Sequence, residues 1–172
     1  NQTLSGVISG SGAITKNGTG TLTISNAAST HNGTLTINTG TLAASGNTSS
    51  SVVLNTGVRI SAGTAAAVAK FNAGSLTIGA GTGYDLTIGN VSAMVPGTDY
   101  DQIALSGALS LNNTAASPFT IYLNGTPTGW SNTAVYSWDM ISAVSQTGFT
   151  AGNFTLDYTN FGIAAGNRTG TW

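Results

Sequence analysis

Thr21-Leu22-Thr23-Ile24 recurs letter for letter as Thr34-Leu35-Thr36-Ile37, and near-copies follow at Ser75-Leu76-Thr77-Ile78 and Asp85-Leu86-Thr87-Ile88. In each, Leu and Ile alternate with Thr, Ser or Asp. Side chains two apart share one face of a strand, so each segment reads as a half-buried β-strand with an apolar side and a polar side. Thr and Ile suit that pleated surface. Between the copies lie Lys16-Asn17-Gly18-Thr19-Gly20, Asn38-Thr39-Gly40 and similar clusters, which punctuate as turns.

Short strands with Gly-rich corners also describe an antiparallel sandwich. Near-copies are the mark of stacked repeats, and two-residue hairpin turns are few, so the solenoid is favoured. The expected fold is all-β: a right-handed, single-stranded parallel β-helix with wider, aromatic-rich C-terminal coils. With roughly 20–25 residues per coil, the chain makes about seven or eight coils and a rod about 35 Å long at ~4.8 Å per strand. Leu22, Ile24, Leu35, Ile37, Leu76, Ile78, Leu86 and Ile88 are expected in one continuous core. Ala65-Ala66-Ala67-Val68-Ala69-Lys70-Phe71 alone hints at helix, and it is short enough to be another strand.

The composition shifts around Met94-Val95-Pro96-Gly97. Residues 1–96 read as regular coils. Residues 97–172 carry most of the aromatics and read as wider coils continuous with the first part, with strands at 103–105, 119–123 and 136–141.

Only 5% of the 172 residues are charged, against roughly 25% in ordinary soluble proteins. Four Lys and Arg make no basic stripe for phosphates, which excludes nucleic acid as a partner and argues against an anionic membrane surface. No apolar run is long enough to span a bilayer as a helix. With no cysteine, disulfides, zinc–thiolate sites and thiol nucleophiles are excluded. The start at Asn1 reads as a mature form or an excised fragment.

Gly10-Ser11-Gly12-Ala13-Ile14-Thr15-Lys16-Asn17-Gly18-Thr19-Gly20-Thr21-Leu22-Thr23-Ile24 resembles the autotransporter-associated β-strand repeat, which runs approximately G-x-G-x-L-x-K-x-G-x-G-T-L-x-L. The family's second part, an N-x-Y-x-G corner and then T-x-I-x-x-G-T-L, is similar to His31-Asn32-Gly33-Thr34-Leu35-Thr36-Ile37-Asn38-Thr39-Gly40-Thr41-Leu42. His31 stands where the family has an aromatic, and Ala27-Ala28 replace a more polar corner. The resemblance covers residues 4–44 or so. Asp99-Tyr100-Asp101-Gln102 is similar, more loosely, to a strand opening in the C-terminal parts of long repeat proteins of this kind. The resemblance implies secretion, a β-helical passenger or stalk, and a structural or adhesive role.

No catalytic constellation is evident. His31 is the one histidine, there is no Glu, and the expectation for His31 is packing at a surface corner. Asp99 and Asp101 are the one close pair of acids. They read as a turn and strand start, with weak calcium binding as the alternative use; no cofactor or other metal is expected. The glycine clusters lack the strand-to-helix context of phosphate loops. Thr21/Thr23, Thr34/Thr36, Ser75/Thr77 and Asp85/Thr87 suggest ladders on one flat face that would order water, set against the plain suitability of Thr for exposed strands. Val52-Val53-Leu54 and Val58-Arg59-Ile60 read as interruptions of that ladder. Trp130 is the aromatic best placed by sequence to stack on a sugar. Sequons such as Asn17-Gly18-Thr19 arise readily in so Asn- and Thr-rich a chain.

The functional expectation is a non-enzymatic extracellular or cell-surface structural element: a stalk, fibre or surface-layer subunit. The alternative is a binding module, either a carbohydrate-binding adhesin or an ice-binding face. Partners expected are further copies stacked end to end, since strand edges at Leu4–Ile8 and around 166–172 lack evident caps apart from Arg168, and surface glycans. So few ionisable groups also predict little change of stability between about pH 5 and pH 9.

Overall fold

The computed structural model describes residues 1–64 and 67–167. Alternating segments become strands of three to eight residues with one short exception, and every paired strand runs parallel to its neighbours. One sheet of seven strands comprises β1 (Gln2–Leu4), β3 (Thr21–Ile24), β5 (Thr41–Ala44), β7 (Arg59–Ala62), β10 (Gly83–Thr87), β13 (Phe119–Gly125) and β16 (Phe154–Phe161). A sheet of six comprises β2 (Ile14–Lys16), β4 (Thr34–Ile37), β6 (Ser51–Leu54), β9 (Ser75–Ile78), β12 (Ala108–Leu111) and β15 (Ser145–Thr147). A third side of three strands, β8 (Lys70–Ala73), β11 (Gln102–Leu105) and the two-residue β14 (Ile141–Ser142), joins from the fourth coil onward. The chain visits the sheets in turn, which is a parallel β-helix.

Register explains the core. Leu22, Leu42, Ile60, Tyr84, Ile121 and Leu156 stack in one column of the seven-stranded sheet. Ile14, Leu35, Val52, Leu76 and Leu109 stack in the facing sheet. All eight residues expected in the core belong to one buried cluster. At roughly 1.5–3 kcal/mol per buried large apolar side chain, a one-residue slip of any strand would forfeit its whole inward set.

The corners are held by side chains that replace the missing ladder bonds. Asn38 Nδ2 donates to Asn17 Oδ1 at 2.7 Å, and Asn55 Nδ2 donates to Asn38 Oδ1 at 2.6 Å, forming an amide ladder along one corner. Lys16, at a core-facing position of the first coil, sends Nζ to the Gly18 and Thr39 carbonyls at 2.8 and 2.6 Å. It thereby satisfies the corner carbonyls of two successive coils, a physical reason for the lysine in the repeat motif.

Coil length is uneven. Successive partners Gln2/Leu22, Thr21/Thr41, Thr41/Arg59 and Arg59/Gly83 step by 20, 20, 18 and 24 residues. Gly83/Thr120 and Phe119/Phe154 step by 37 and 35. The C-terminal coils are therefore wider, and seven levels at ~4.8 Å span about 29 Å, shorter than a uniform repeat implies. Of the two readings of 65–71, a hint of helix or another strand, its end takes the second, entering β8 at Lys70–Ala73; Ala65 and Ala66 lie outside the described residues. Expected strand at 136–141 is reduced to β14, because Tyr136 and Trp138 leave the ladder to stack on each other. Among the described residues no helix is long and apolar enough to cross a membrane.

Candidate functional site

The hydroxyl-bearing residues separate by sheet. Thr34 and Thr36 lie on β4 in the six-stranded sheet, whereas Thr21 and Thr23 lie on β3 in the seven-stranded sheet. They do not share one face, because the chain turns a corner between the two identical tetrapeptides. On the six-stranded sheet the outward column runs Thr15, Thr36, Val53, Thr77, Ser110, Thr147 in unbroken register. Beside it stand Thr34, Ser51 and Ser75, then Ala108 and Ser145. Ser51 Oγ and Ser75 Oγ are 2.7 Å apart. Val53 fills a Thr position with a side chain of the same shape, so it does not break the ladder, while Val52 and Leu54 point inward. Ser51, Ser110, Ser145 and Thr147 escaped the reading of the sequence, since the changing coil length hides their register.

The seven-stranded sheet presents a different face. Its outward column passes from Thr3 and Thr23 through Ala43 and Ser61 to Asp85, Tyr122 and Asp157. Arg59 grips Asp85 with two nitrogens, Nε to Oδ2 at 3.1 Å and Nη2 to Oδ1, and lies 3.6 Å from the Tyr122 ring centroid. Gly83 makes room for that ring: a Cβ there would sit 2.6 Å from Tyr122 Cε2. Asp85 is thus an ion-pair partner and Thr87 is buried, so this pair forms no ladder.

Asp99 and Asp101 receive N–H donors on both oxygens. Asp99 takes Val95 N at 2.8 Å and Asn90 Nδ2 at 3.2 Å; Asp101 takes Ala69 N and Thr87 N, both at 2.8 Å. N–H donors thus occupy the oxygens that the calcium alternative would use. Among the described residues no three His, Cys, Asp or Glu gather as metal ligands. Burial pushes Asp101 up to about 7, overcoming the two backbone donors that pull it down. Tyr84, buried close by, is raised well above its ordinary value, first by burial and then by the charges of Asp101 and Tyr100.

His31 is only 5% exposed, a correction to its expected place at the surface. Nε2 lies 2.7 Å from the Gly12 carbonyl oxygen, which can only accept, so Nδ1 accepts from Ser50 Oγ at 2.6 Å. This pair ties three coils together from inside, and Ser50 is fully buried. The imidazole does the packing and bonding of the aromatic it replaces.

Trp130 is engaged on several sides. Tyr136 lies 4.7 Å and Phe161 5.6 Å from its ring, and Nε1 donates to the Asn167 carbonyl at 3.1 Å. That leaves little ring face for a sugar. Nearby, a groove of about 610 Å³ opens between Leu86, Leu123, Trp138, Phe149 and Leu156. It is the axial core continued into the wide coils.

No curated protein and no solved structure is detectably similar to this chain. The passenger-associated-transport-repeat family model matches residues 14–44. That span holds β2, β3, β4 and β5, one complete coil with its flanks. Over residues 14–44 the first coils of this β-helix are therefore similar to a passenger-associated-transport repeat.

Proposed function

We propose that this chain is an extracellular structural element, a stalk, fibre or surface-layer segment, and that it catalyses no reaction. Passenger-type repeats mark secreted or surface-exposed proteins, which supports the compartment. One observation carries the structural reading: the side chains with chemical potential are spent on holding coils together. His31 bonds Ser50 and Gly12 inside the core, Asp101 staples Ala69 to Thr87, and Arg59 joins Asp85 across the sheet. Further copies stacked on the strand edges remain the partners that fit such an element, and Arg168, the expected edge charge, lies outside the described residues.

Purified chain incubated with a panel of soluble polysaccharides should release no reducing ends, and its folded coils should resist limited proteolysis. Turnover that disappears in His31→Phe or Asp101→Asn while the fold persists would overturn the reading. So would rapid cleavage within the coils under native conditions.

A further inference from the structure

We propose that the outward face of the six-stranded sheet orders water into a lattice and binds ice. This goes beyond the structural role and depends only on the face itself. Its two columns hold Thr, Ser, Ala and one Val, and the strand-facing-out positions of β4, β6, β9, β12 and β15 carry no charge, amide or aromatic ring. Parallel pairing places the columns' members about 4.8 Å apart between strands and about 6.6 Å apart along each strand. The first of those repeats lies close to the shorter oxygen repeat of the prism face of hexagonal ice, and the second falls somewhat short of the longer one. The register runs without a bulge through all six strands, so the repeat is kept over the full sheet.

Thr is stiff at χ1, so the methyl and hydroxyl positions are set before binding and little side-chain entropy is lost. Val53 keeps the methyl pattern where one hydroxyl is missing. Charge supports the same partner. A charged side chain orients water radially and disrupts a lattice, and the face has none. Arg59, Asp85 and Asp157 lie on the seven-stranded sheet instead. That second sheet is an internal control. If Thr and Ser were present only because they suit exposed strands, both outward faces should look alike. One carries an ion pair, a tyrosine and a further carboxylate; the other carries small hydroxyl and methyl groups throughout. A glycan fits less well, since sugar recognition draws on aromatic platforms and free planar polar groups; the face offers no aromatic ring, and the amides of Asn17, Asn38 and Asn55 that border it bond to one another.

The test uses the purified chain in an ice-shaping assay and in partitioning into a growing ice front. Wild type should facet the crystals and enter the ice. Thr36→Tyr and Thr77→Tyr should lose both properties while melting like the wild type, and Thr41→Tyr on the seven-stranded sheet should keep them. If either face variant fails to fold, Ser51→Tyr, at an exposed strand start, takes its place. A folded wild-type chain that leaves crystals as unshaped discs overturns the proposal. Face variants that remain active, or a Thr41→Tyr chain as impaired as they are, overturn it too. Binding to crystalline cellulose that the same face variants abolish would overturn water as the partner.

Discussion

At Gly40 the backbone turns with φ of +79°, and a Cβ there would sit 2.4 Å from the Gly20 carbonyl oxygen and 2.7 Å from Lys16 Nζ. Glycine is required twice over, by the left-handed conformation and by the close approach of the coil above. Gly40→Ala should cost at least about 1–3 kcal/mol from the strained backbone alone, read as a lowered denaturation midpoint in urea. A midpoint equal to wild type would show that the corner relaxes. At Leu35 the test concerns burial. The side chain is 2% exposed and sits between Ile14 and Val52 in its column. Leu35→Ala should cost on the order of 2–5 kcal/mol, and a loss below about half a kcal/mol would argue that the column is not packed as described.

The segment from Asp99 to β11 shows how elements are joined. Asp101 accepts one N–H from the approach to β8 and another from the end of β10, pinning two coils through one carboxylate. After burial, the charge of Asp85 also raises its pKa, and Asp101 in turn raises that of Tyr84 on β10. In the unfolded chain an Asp titrates near about 3.9, whereas the folded group titrates at about 7. Between those values the folded state holds a proton that the unfolded state has released. Stability is therefore full below about pH 4, falls as pH rises to about 7, and is level above, by an amount on the order of 4 kcal/mol. One buried acid thus predicts a decline that the scarcity of charge alone would not. Asp157, on the exposed face, is held below the usual carboxylate range first by the Thr159 hydroxyl and backbone N–H, so it acts only at acid pH. Thermal melts from pH 4 to pH 9 should decline through the middle of the range in wild type. Asp101→Asn should flatten that decline, whatever it does to absolute stability; an unchanged slope would assign the titration elsewhere.

Across the whole molecule the sheets continue through the change in composition near residue 96, with β10 paired to both β7 and β13 and β11 paired to both β8 and β14. Polar residues occupy core-facing positions at both extremes of the six-stranded sheet: Lys16 stands in line with Ile37, and Gln146 in line with Leu109. The seven-stranded sheet is mixed at its first strand, where Gln2 stands in line with Leu22 and Leu4 with Ile24, and apolar at its last, where Leu156 stands in line with Ile121, so stacking of further copies would use its last strand most readily. Small-angle scattering over a concentration series should show growth in length at constant cross-section. A constant monomer mass at the highest concentration would remove end-to-end copies as partners.

The strand period, the inward Leu and Ile residues and the parallel solenoid are legible in the sequence, because alternation by two and repeated tetrapeptides depend only on local backbone geometry and on the drive to bury one face. The repeat over residues 14–44 was legible for the same reason. Which hydroxyl residues share a face was not. Thr23 and Thr36 sit in identical tetrapeptides yet face different directions, because a corner between them turns the chain onto another sheet. The fate of the polar residues was equally hidden. His31, Asp101 and Arg59 find partners 19, 32 and 26 residues away in sequence. Such distances depend on coil lengths, which are set by corners and the wide C-terminal loops. Only the closed tertiary structure, which decides what lies above and below each residue, determines whether those groups react, bind or brace.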